Sequence, residues 1–315
     1  MNEIVSVIIP VFNRYNLIKE TLDSILKQTY QNWECIVVDD QSEDETLAVL
    51  NIYKKSKATS KLKIYERPDH YPKGANSCRN YGFEKSSGDY IIWFDSDDLM
   101  TPNHIEKKLR VIKAKKLDFI VARTQNFQNS EFLEPYFYER KNYGIRASDF
   151  ILLKIHWYTY DVMLRRDLAM KIKWNEQMKS WQDYNYFCKM LLISEKGEYL
   201  DLVLTHRRLH PDSIQKSLTT TIENFNRELL ENRLFTYWDI NKDLDVKTRI
   251  ELIFGMMNIS FELARLNEKS QYIGEVSKIV KMELGRISKN VFEIALITAR
   301  ISRKGYLLLN KAKGK

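Results

Sequence analysis

Short apolar runs alternate with amphipathic segments over about the first 125 residues of the chain. Each run is short enough for a buried strand, and the segments between them show the three- and four-residue spacing of a helix. The predicted strands are residues 4–10, 33–38, 61–65 and 90–94. Strands that alternate with helices in this way favour an α/β fold with a mostly parallel sheet.

The pattern changes in the second half of the chain. After residue 126 the alternation weakens, although residues 183–194 keep the spacing of a helix. From residue 222 to residue 304 the spacing predicts several helices, one of them amphipathic over residues 246–266. We therefore predict two domains, an α/β domain over residues 1–215 and a helical C-terminal region over residues 216–315.

Composition limits the class of protein. Of the 315 residues, 44% are hydrophobic and 29% are charged, as expected for a soluble globular chain with a sizeable core. The net charge of +8 is compatible with nucleic acid, an anionic lipid or a phosphorylated substrate, and equally with scattered solvated lysines. No window reaches the ~18 uncharged apolar residues that a membrane-spanning helix needs.

The cysteines and the N-terminus indicate the compartment. Cys35, Cys78 and Cys188 form no CxxC pair, so we expect reduced, mostly buried thiols and no cysteine metal site. The first residues run directly into a strand pattern without the basic and apolar regions of a signal peptide. We therefore expect a cytoplasmic protein.

Polar residues follow each predicted strand at the point where the strand ends. They are residues 12–14, 39–40, 67 and 95–98. In a parallel sheet the carboxyl ends of the strands meet at one edge, and ligands bind there. The sequence therefore predicts that separate strands deliver these side chains to a single site.

The sequence Asp95-Ser96-Asp97-Asp98 carries the strongest chemical signal of the chain. Three carboxylates so close together repel one another, which raises their pKa values unless a cation compensates. Mg²⁺ and similar hard cations bind one or two carboxylates together with substrate phosphates. We expect Asp97 to hold such an ion, with Asp95 nearby or on a ribose. The alternative is a solvated turn, in which aspartate is common.

Four segments together resemble the family 2 glycosyltransferases. They are residues 5–14 (VSVIIPVFNR), 36–44 (IVVDDQSED), 74–82 (GANSCRNYG) and 90–98 (YIIWFDSDD), and they occur in the order and spacing of that family. The resemblance covers about residues 4–213 and implies a GT-A fold, a Rossmann-like domain that binds nucleotide sugars. It also implies an inverting transfer of a sugar, typically from a UDP-sugar, to an acceptor hydroxyl with Mn²⁺ or Mg²⁺ as cofactor.

The resemblance also implies roles for individual residues. Asp40 would bind the base, and Asp95 and Asp97 would form the DxD pair that handles ribose and metal. The full set of donor-binding residues implied by the resemblance is Pro10, Phe12, Arg14, Asp40, Asn76, Arg79, Asp95 and Ser96.

Later polar residues complete the expected site. Asp183 resembles the general base of inverting members, because a carboxylate can accept the proton of an attacking hydroxyl; its alternative is a cap for the helix that follows. His210, or else His206, would reach the metal or the diphosphate, and a plain hydrogen-bonded histidine is the alternative. Arg207 and Arg208 could clamp the diphosphate.

Two other functions stay open at this point. A sugar-phosphate nucleotidyltransferase can share the fold, but it usually carries a glycine-rich loop after its first strand, whereas this chain has residues 10–15 (PVFNRY) there. The second is a degenerate transferase that acts as a binding or scaffolding subunit.

Acceptor binding is less well defined by the sequence. Family members often use saccharide or lipid-linked saccharide acceptors in surface polysaccharide or glycoconjugate synthesis. Residues 291–301 form an apolar helical stretch before a basic tail, which fits peripheral contact with the inner face of a membrane, or else a helix packed on the protein with a frayed tail. We expect no nucleic-acid partner. Four aromatic residues could stack on sugars or belong to the core: Trp157, Tyr158, Tyr160 and Trp181.

Overall fold

The computed structural model describes residues 3–57, 60–129, 131–135, 144–209, 221–268 and 270–314. Within these ranges the chain forms two compact units. The first consists of the described residues up to 150 and from 154 to 209, and the second consists of residues 151–153 and those from 221 onwards. The domain boundary expected near residue 215 lies outside the described residues.

The first unit contains the described strands, and its strands and helices alternate up to residue 114, as the sequence predicts. In order, the elements of this part are β1 (Val5–Val11), α1 (Ile18–Leu26), β2 (Trp33–Asp39), α2 (Thr46–Lys57), β3 (Leu62–Glu66), α3 (Ala75–Glu84), β4 (Tyr90–Trp93), β5 (Leu99–Met100), α4 (His104–Ala114), β6 (Phe119–Gln128), β7 (Glu131–Pro135), α5 (Ala147–Ile151), β8 (Val162–Arg165), α6 (Arg166–Ala169), α7 (Gln182–Ile193) and β9 (Gly197–Arg208).

The described strands form one sheet in the order β3-β2-β1-β4-β8-β6-β9-β5, with β7 paired to β6 outside this path. Strands β3, β2, β1 and β4 run parallel to one another. Beyond β4 the sheet is mixed, because β8 lies antiparallel between β4 and β6, whereas β6 and β9 are parallel. The predicted α/β class is confirmed. The predicted parallel pairing holds for the half of the sheet that β1 to β4 form.

The centre of the core is the pair β1 and β2, in which every residue is buried. Helix α3 lies directly against these strands, and Gly82 makes this close approach possible. A Cβ atom at Gly82 would lie 2.6 Å from Cγ2 of Ile8 and 3.2 Å from Cγ2 of Val38. The glycine therefore lets α3, which carries Asn76 and Arg79, pack tightly on the sheet.

A network of buried polar side chains joins α4 to β9. Nδ1 of His104 lies 2.9 Å from the carbonyl oxygen of Leu204, so Nδ1 carries the proton, and Nε2 accepts a hydrogen bond from Nζ of Lys108 at 2.9 Å. Nζ of Lys108 also donates to the carbonyl of Tyr160 at 2.9 Å. Burial lowers the pKa of Lys108 to about 7, although the carboxylate of Asp161 opposes this effect.

The described part of the second unit is helical, as predicted. It contains α8 (Ile222–Ile240), α9 (Val246–Arg265), α10 (Tyr272–Ser302) and α11 (Tyr306–Ala312), and α10 is interrupted at Gly285, where φ is 92°. Thr221 and Asp245 cap the first two of these helices through their side chains. None of the described helices combines the length and apolar character needed to cross a bilayer.

Candidate active site

The carboxyl ends of the four parallel strands meet at one edge of the sheet. Backbone hydrogen bonds link these ends: Asp40 N–H donates to the carbonyl of Val11, and Arg67 N–H donates to that of Asp39, both at 2.8 Å. Phe94 N–H donates to the carbonyl of Ile8 at 2.9 Å. The polar residues that follow the strands therefore lie along the edge at which open α/β sheets bind ligands.

Arg79 on α3 is the side chain that joins most of this site. Its Nη1 donates to Oδ1 of Asn76 at 3.1 Å and to Oε1 of Gln182 at 2.8 Å, and its Nη2 donates to Oδ1 of Asp95 at 2.9 Å. The guanidinium also lies 4.5 Å from the centre of the Trp174 ring. A single buried arginine therefore connects α3, the end of β4 and the start of α7.

The carboxylates after β4 occupy different environments. Burial raises the pKa of Asp95, and the Arg79 guanidinium opposes the shift, while Asp97 adds to it. Burial also raises the pKa of Asp98 well above its usual value, again with a contribution from Asp97, although Asp98 accepts a hydrogen bond from the Arg208 N–H at 2.8 Å. One third of the Asp95 side chain remains exposed, so a ligand can reach it.

Asp97 faces the basic residue that follows β1. Its Oδ2 lies 3.4 Å from Nε of Arg14, and about a fifth of each side chain is exposed. The backbone carbonyl of Asp97 accepts a hydrogen bond from Nε of Arg208 at 3.0 Å. Ser96, between the two acids, is buried, and its carbonyl accepts a hydrogen bond from the Thr21 hydroxyl at 3.0 Å.

The acidic residues fit a hard divalent cation in part. Asp95 and Asp97 are oxygen donors, the charge of Asp97 contributes to the raised pKa of Asp95, and both side chains are partly exposed. Among the described residues, however, no group of three metal-binding side chains comes together. Mg²⁺ commonly combines one or two carboxylates with phosphate oxygens of a bound ligand, so two partly exposed carboxylates are compatible with such an ion.

Asp183 lies in the first turn of α7, one residue after Gln182. Burial raises the pKa of Asp183 to about 6, while a hydrogen bond from the Tyr184 N–H and the charge of Arg79 oppose the shift. The helix begins at Gln182, and its N-cap position is held by Trp181, whose φ of 53° is left-handed and whose side chain forms no capping hydrogen bond. Asp183 is therefore not the N-cap residue, and Arg79 and Asp95 lie near enough to affect its charge.

Asp40 is buried against a cation. Its Oδ1 accepts a hydrogen bond from Nε of Arg67, and both side chains are almost inaccessible. Asp39, the other acid at the end of β2, accepts hydrogen bonds from the N–H and hydroxyl of Ser42 at 2.8 and 2.6 Å. Asp39 therefore stabilises the loop before α2, whereas Asp40 forms an ion pair with Arg67 at the carboxyl edge of the sheet.

The remaining residues predicted for the donor lie on β1 and just after it. Pro10 is buried in β1 and aligned with Val38 of β2. Phe12 is half-buried, and Nζ of Lys73 lies 4.1 Å from the centre of its ring. The structure thus brings Phe12, Arg14, Asp95 and Asp97 to the same edge of the sheet.

His206 and Arg207, two residues of β9 that the sequence predicts for the site, have different surroundings. His206 lies opposite Leu99 in β5 and contacts the ring of Phe132 at 4.6 Å, and burial lowers its pKa. Arg207 lies 5.0 Å from the centre of the Tyr158 ring, and the charges of Asp98 and Asp95 act on it. His210 lies outside the described residues, so its predicted metal contact stays a prediction.

Comparison with known proteins identifies the family. The family model described as Glycosyl transferase family 2 matches residues 6–172, more than half of the chain. An uncharacterised glycosyltransferase of Rickettsia typhi is 30% identical over 231 residues, which are 70% of this chain and 69% of the Rickettsia protein. The chain belongs to glycosyltransferase family 2. It is therefore an enzyme of sugar transfer, and the nucleotidyltransferase alternative falls away.

A second relative of this family 2 glycosyltransferase has a named activity. The UDP-Glc:alpha-D-GlcNAc-diphosphoundecaprenol beta-1,3-glucosyltransferase WfgD of Escherichia coli is 32% identical over 131 residues. These residues are 41% of this chain and 49% of WfgD. The match therefore spans less than half the length of that enzyme.

Solved structures establish the fold of this family 2 glycosyltransferase. S. aureus TarS 1-349 in complex with UDP-GlcNAc has a TM-score of 0.69 at 17% identity, over 99% of this chain and 92% of that chain. The mannosyltransferase PcManGT of Pyrobaculum calidifontis, in complex with GDP-Man and Mn²⁺, has a TM-score of 0.57 at 13% identity, over 96% and 88% of the two chains. The predicted GT-A fold is confirmed.

Sequence reasoning missed one side chain that organises the site of this family 2 glycosyltransferase. Gln182 accepts a hydrogen bond from Arg79 and donates through Nε2 to the carbonyl of Met178 at 3.0 Å. Its position directly before Asp183 was the signal that could have identified it. Of the four aromatic residues considered for sugar stacking, Trp157 and Tyr160 are core residues, whereas Tyr158 and Trp181 are half-buried.

Proposed function

We propose that this enzyme transfers a sugar from a UDP-sugar to an acceptor hydroxyl with inversion at the anomeric carbon, and that Asp183 is the general base. The observation that carries the proposal is the arrangement of Arg79, Asp95 and Asp183 at the carboxyl edge of the parallel strands. The UDP-GlcNAc complex of TarS and the UDP-Glc donor in the name of WfgD support the choice of donor.

In the proposed complex the donor lies along the ends of β1, β2 and β4. Asp40 accepts a hydrogen bond from the N–H of the uracil, and Arg67 orients the Asp40 carboxylate. Pro10 and Phe12 line the nucleotide pocket, and Arg14 contacts the diphosphate. Asp95 and Ser96 bind at the ribose, while Asn76 and Arg79 hold the donor side of the site.

Asp97 would hold Mn²⁺ or Mg²⁺ together with diphosphate oxygens, and His210 is the proposed second protein ligand. The Mn²⁺ complex of PcManGT supports a divalent ion in this fold. When bound, the cation would neutralise the negative charge that develops on the diphosphate leaving group. Arg14, which lies 3.4 Å from Asp97, would then exchange its carboxylate partner for a phosphate oxygen.

Asp183 carries out the proton transfer. As the acceptor oxygen forms its bond to the anomeric carbon, its proton passes to the Asp183 carboxylate, and the bond between that carbon and the diphosphate oxygen breaks. The bonding electrons leave with the nucleoside diphosphate. Because burial raises the pKa of Asp183 to about 6, this carboxylate is a stronger base than an exposed aspartate and is still ionised at neutral pH.

The acceptor in this proposal is a saccharide or a lipid-linked saccharide used in bacterial surface polysaccharide or glycoconjugate synthesis. The diphosphoundecaprenol acceptor in the name of WfgD supports the lipid-linked choice. Such an acceptor lies at a membrane surface, so the proposal includes a cytoplasmic enzyme that works peripherally at the inner face of the membrane.

Separate measurement of donor binding and transfer tests the proposal. We expect Asp183→Asn to bind UDP with Mn²⁺ as the wild type does and to lose at least about a hundredfold in transfer, whereas Asp97→Ala loses binding as well. Asp167→Asn, at an exposed aspartate on α6, is the matched control and keeps both activities. The anomeric configuration of the product, read by NMR, reports inversion.

Three results would contradict parts of the proposal. Full transfer by Asp183→Asn would remove this residue as the base, and a product with retained configuration would remove the single displacement. Tight UDP binding by a wild type that transfers nothing to any acceptor would favour the binding or scaffolding subunit.

A further inference from the structure

Helix α10 carries a stripe of exposed isoleucines on the side opposite its packed face. The stripe consists of Ile287, Ile294, Ile297 and Ile301, whose side chains are 82%, 52%, 57% and 81% exposed. Their spacing of seven, three and four residues keeps them on one side of the helix. The buried residues on the other side are Phe292, Ala295, Leu296 and Ala299.

This stripe is different from ordinary surface exposure of apolar side chains. Single exposed apolar residues are common and need no explanation, but aligned ones mark a surface that meets something apolar. Helix α10 packs on the rest of the described unit through the opposite side, which carries the buried residues. More than half of each isoleucine in the stripe therefore stays outside the packing of the described part of the chain.

The charges around the stripe are basic. Exposed cations lie at both of its ends, Arg286 before it and Arg300, Arg303 and Lys304 around and after its last member. From residue 294 to residue 315 the sequence contains six basic residues and no acidic one. Glu293, the nearest acid, is paired with Lys289 at 2.8 Å. An apolar stripe with cations at both ends matches an apolar layer beneath an anionic surface.

We infer that the isoleucine stripe of α10 docks this enzyme on a membrane that contains anionic phospholipids. The isoleucines enter the boundary between headgroups and acyl chains, while the arginines and Lys304 contact the phosphates. The inference depends on the proposed function in one respect only: the reason for docking would be that the acceptor is linked to a membrane lipid. The sequence pattern pointed to residues 291–301, and the structure assigns the contact to a stripe that begins earlier, at Ile287.

A second copy of the chain fits the same surface less well. Two stripes packed against each other would bring basic residues together in either orientation, because Arg286 lies at one end and Arg300, Arg303 and Lys304 lie at the other. Like charges that face each other at an interface oppose association. An anionic headgroup layer removes this repulsion.

Flotation with lipid vesicles tests the inference on the full chain. We expect the wild type to bind vesicles of phosphatidylcholine mixed with phosphatidylglycerol, and to bind pure phosphatidylcholine much less. The triple variant Ile294→Gln, Ile297→Gln, Ile301→Gln should lose at least about tenfold in binding. Changing Arg286, Arg300 and Lys304 to Gln should lose about fivefold for each charge and remove most of the salt dependence.

Ile52→Gln is the matched control, because Ile52 is 67% exposed on α2 of the first unit. It should leave vesicle binding unchanged. Equal binding by the wild type and the triple isoleucine variant would overturn the inference, as would equal losses in the triple variant and the control. A wild-type dimer that the triple variant converts to monomers without any vesicle binding would assign the stripe to self-association instead.

Binding of UDP with Mn²⁺, measured in solution on the same proteins, separates this inference from the proposed function. The triple isoleucine variant should keep wild-type UDP binding, thermal stability and transfer to a soluble acceptor. If the wild type binds anionic vesicles through the stripe but does not bind UDP, the donor assignment fails while membrane docking stands.

Discussion

Nη2 of Arg79 donates a hydrogen bond to Oδ1 of Asp95 at 2.9 Å, and the same guanidinium holds Gln182, the residue before Asp183, at 2.8 Å. One cation thus holds the acid after β4 and the residue that precedes the proposed base on α7. Any displacement of Arg79 changes both the charge around Asp95 and the start of α7.

We expect Arg79→Lys to lower the free energy of unfolding by about 1.5–3 kcal/mol, because one ammonium cannot reach Asp95, Gln182 and Asn76 together. Donor binding should weaken as well. Urea unfolding and UDP titration measure the two effects. Arg165→Lys is the control, because its pair with Asp167 is about half exposed, and it should cost less than about 1 kcal/mol. Equal losses in both variants would contradict the joining role of Arg79.

The pH dependence of transfer should report Asp183. The proposed base acts in its ionised form, and burial raises the pKa of Asp183 to about 6, so activity should fall as the pH drops through that value. The measurement is kcat/KM from about pH 5 to about pH 8. His206→Gln should keep this acidic limb, because burial lowers the pKa of His206. A limb that disappears in His206→Gln would assign the titration to the histidine.

The buried pair of Asp40 and Arg67 should contribute strongly to stability. Asp40→Asn leaves the Arg67 charge without its partner inside the protein, and we expect a loss of about 3–5 kcal/mol in the free energy of unfolding. Glu198→Gln breaks the exposed pair with Lys115 and should change it by less than about 1 kcal/mol. Urea denaturation compares the two variants, and a loss below about 1 kcal/mol for Asp40→Asn would show that the pair is dispensable.

Lys108 should make the stability of the protein depend on pH. Burial lowers the pKa of Lys108 to about 7, while an unfolded lysine titrates near about 10.4. Between these values the unfolded chain binds more protons, so the free energy of unfolding rises with pH. Lys108→Met should flatten this rise, as measured by urea unfolding at about pH 7 and about pH 9.5. Lys107→Met, at the half-buried neighbour on α4, should keep the wild-type slope.

The parallel half of the sheet was predictable because each of its strands is a local apolar run. Residues 33–38 and 90–94 predict β2 and β4 almost to the residue, since strands buried on both faces are mostly apolar. The mixed half of the sheet was not predictable, because β8 pairs with β4 and β6, which are distant in sequence, and no local pattern encodes such pairing. The apolar residues of these strands show that the strands are buried, but they do not show in which order the strands lie in the sheet.

The site followed the same division. The acids and arginines after the strands could be placed at one edge from topology alone, and Arg14 and Asp97 do meet there. Their partners could not be foreseen, because Arg67 follows β3 whereas Asp40 follows β2, and Gln182 lies far from Arg79 in sequence. Spacing predicts which side chains share an edge, whereas packing decides which of them pair.

The late arrival of β8 has a consequence during synthesis of the chain. Strands β1 to β4 leave the ribosome before Val162–Arg165, which covers the free edge of β4. Until then Tyr90 and Ile91 present an unpaired strand edge, the kind of surface that joins other nascent chains. Fragments that stop before residue 162 should therefore aggregate, and the residues proposed to bind the nucleotide would exist in the cell before Asp183 has been translated.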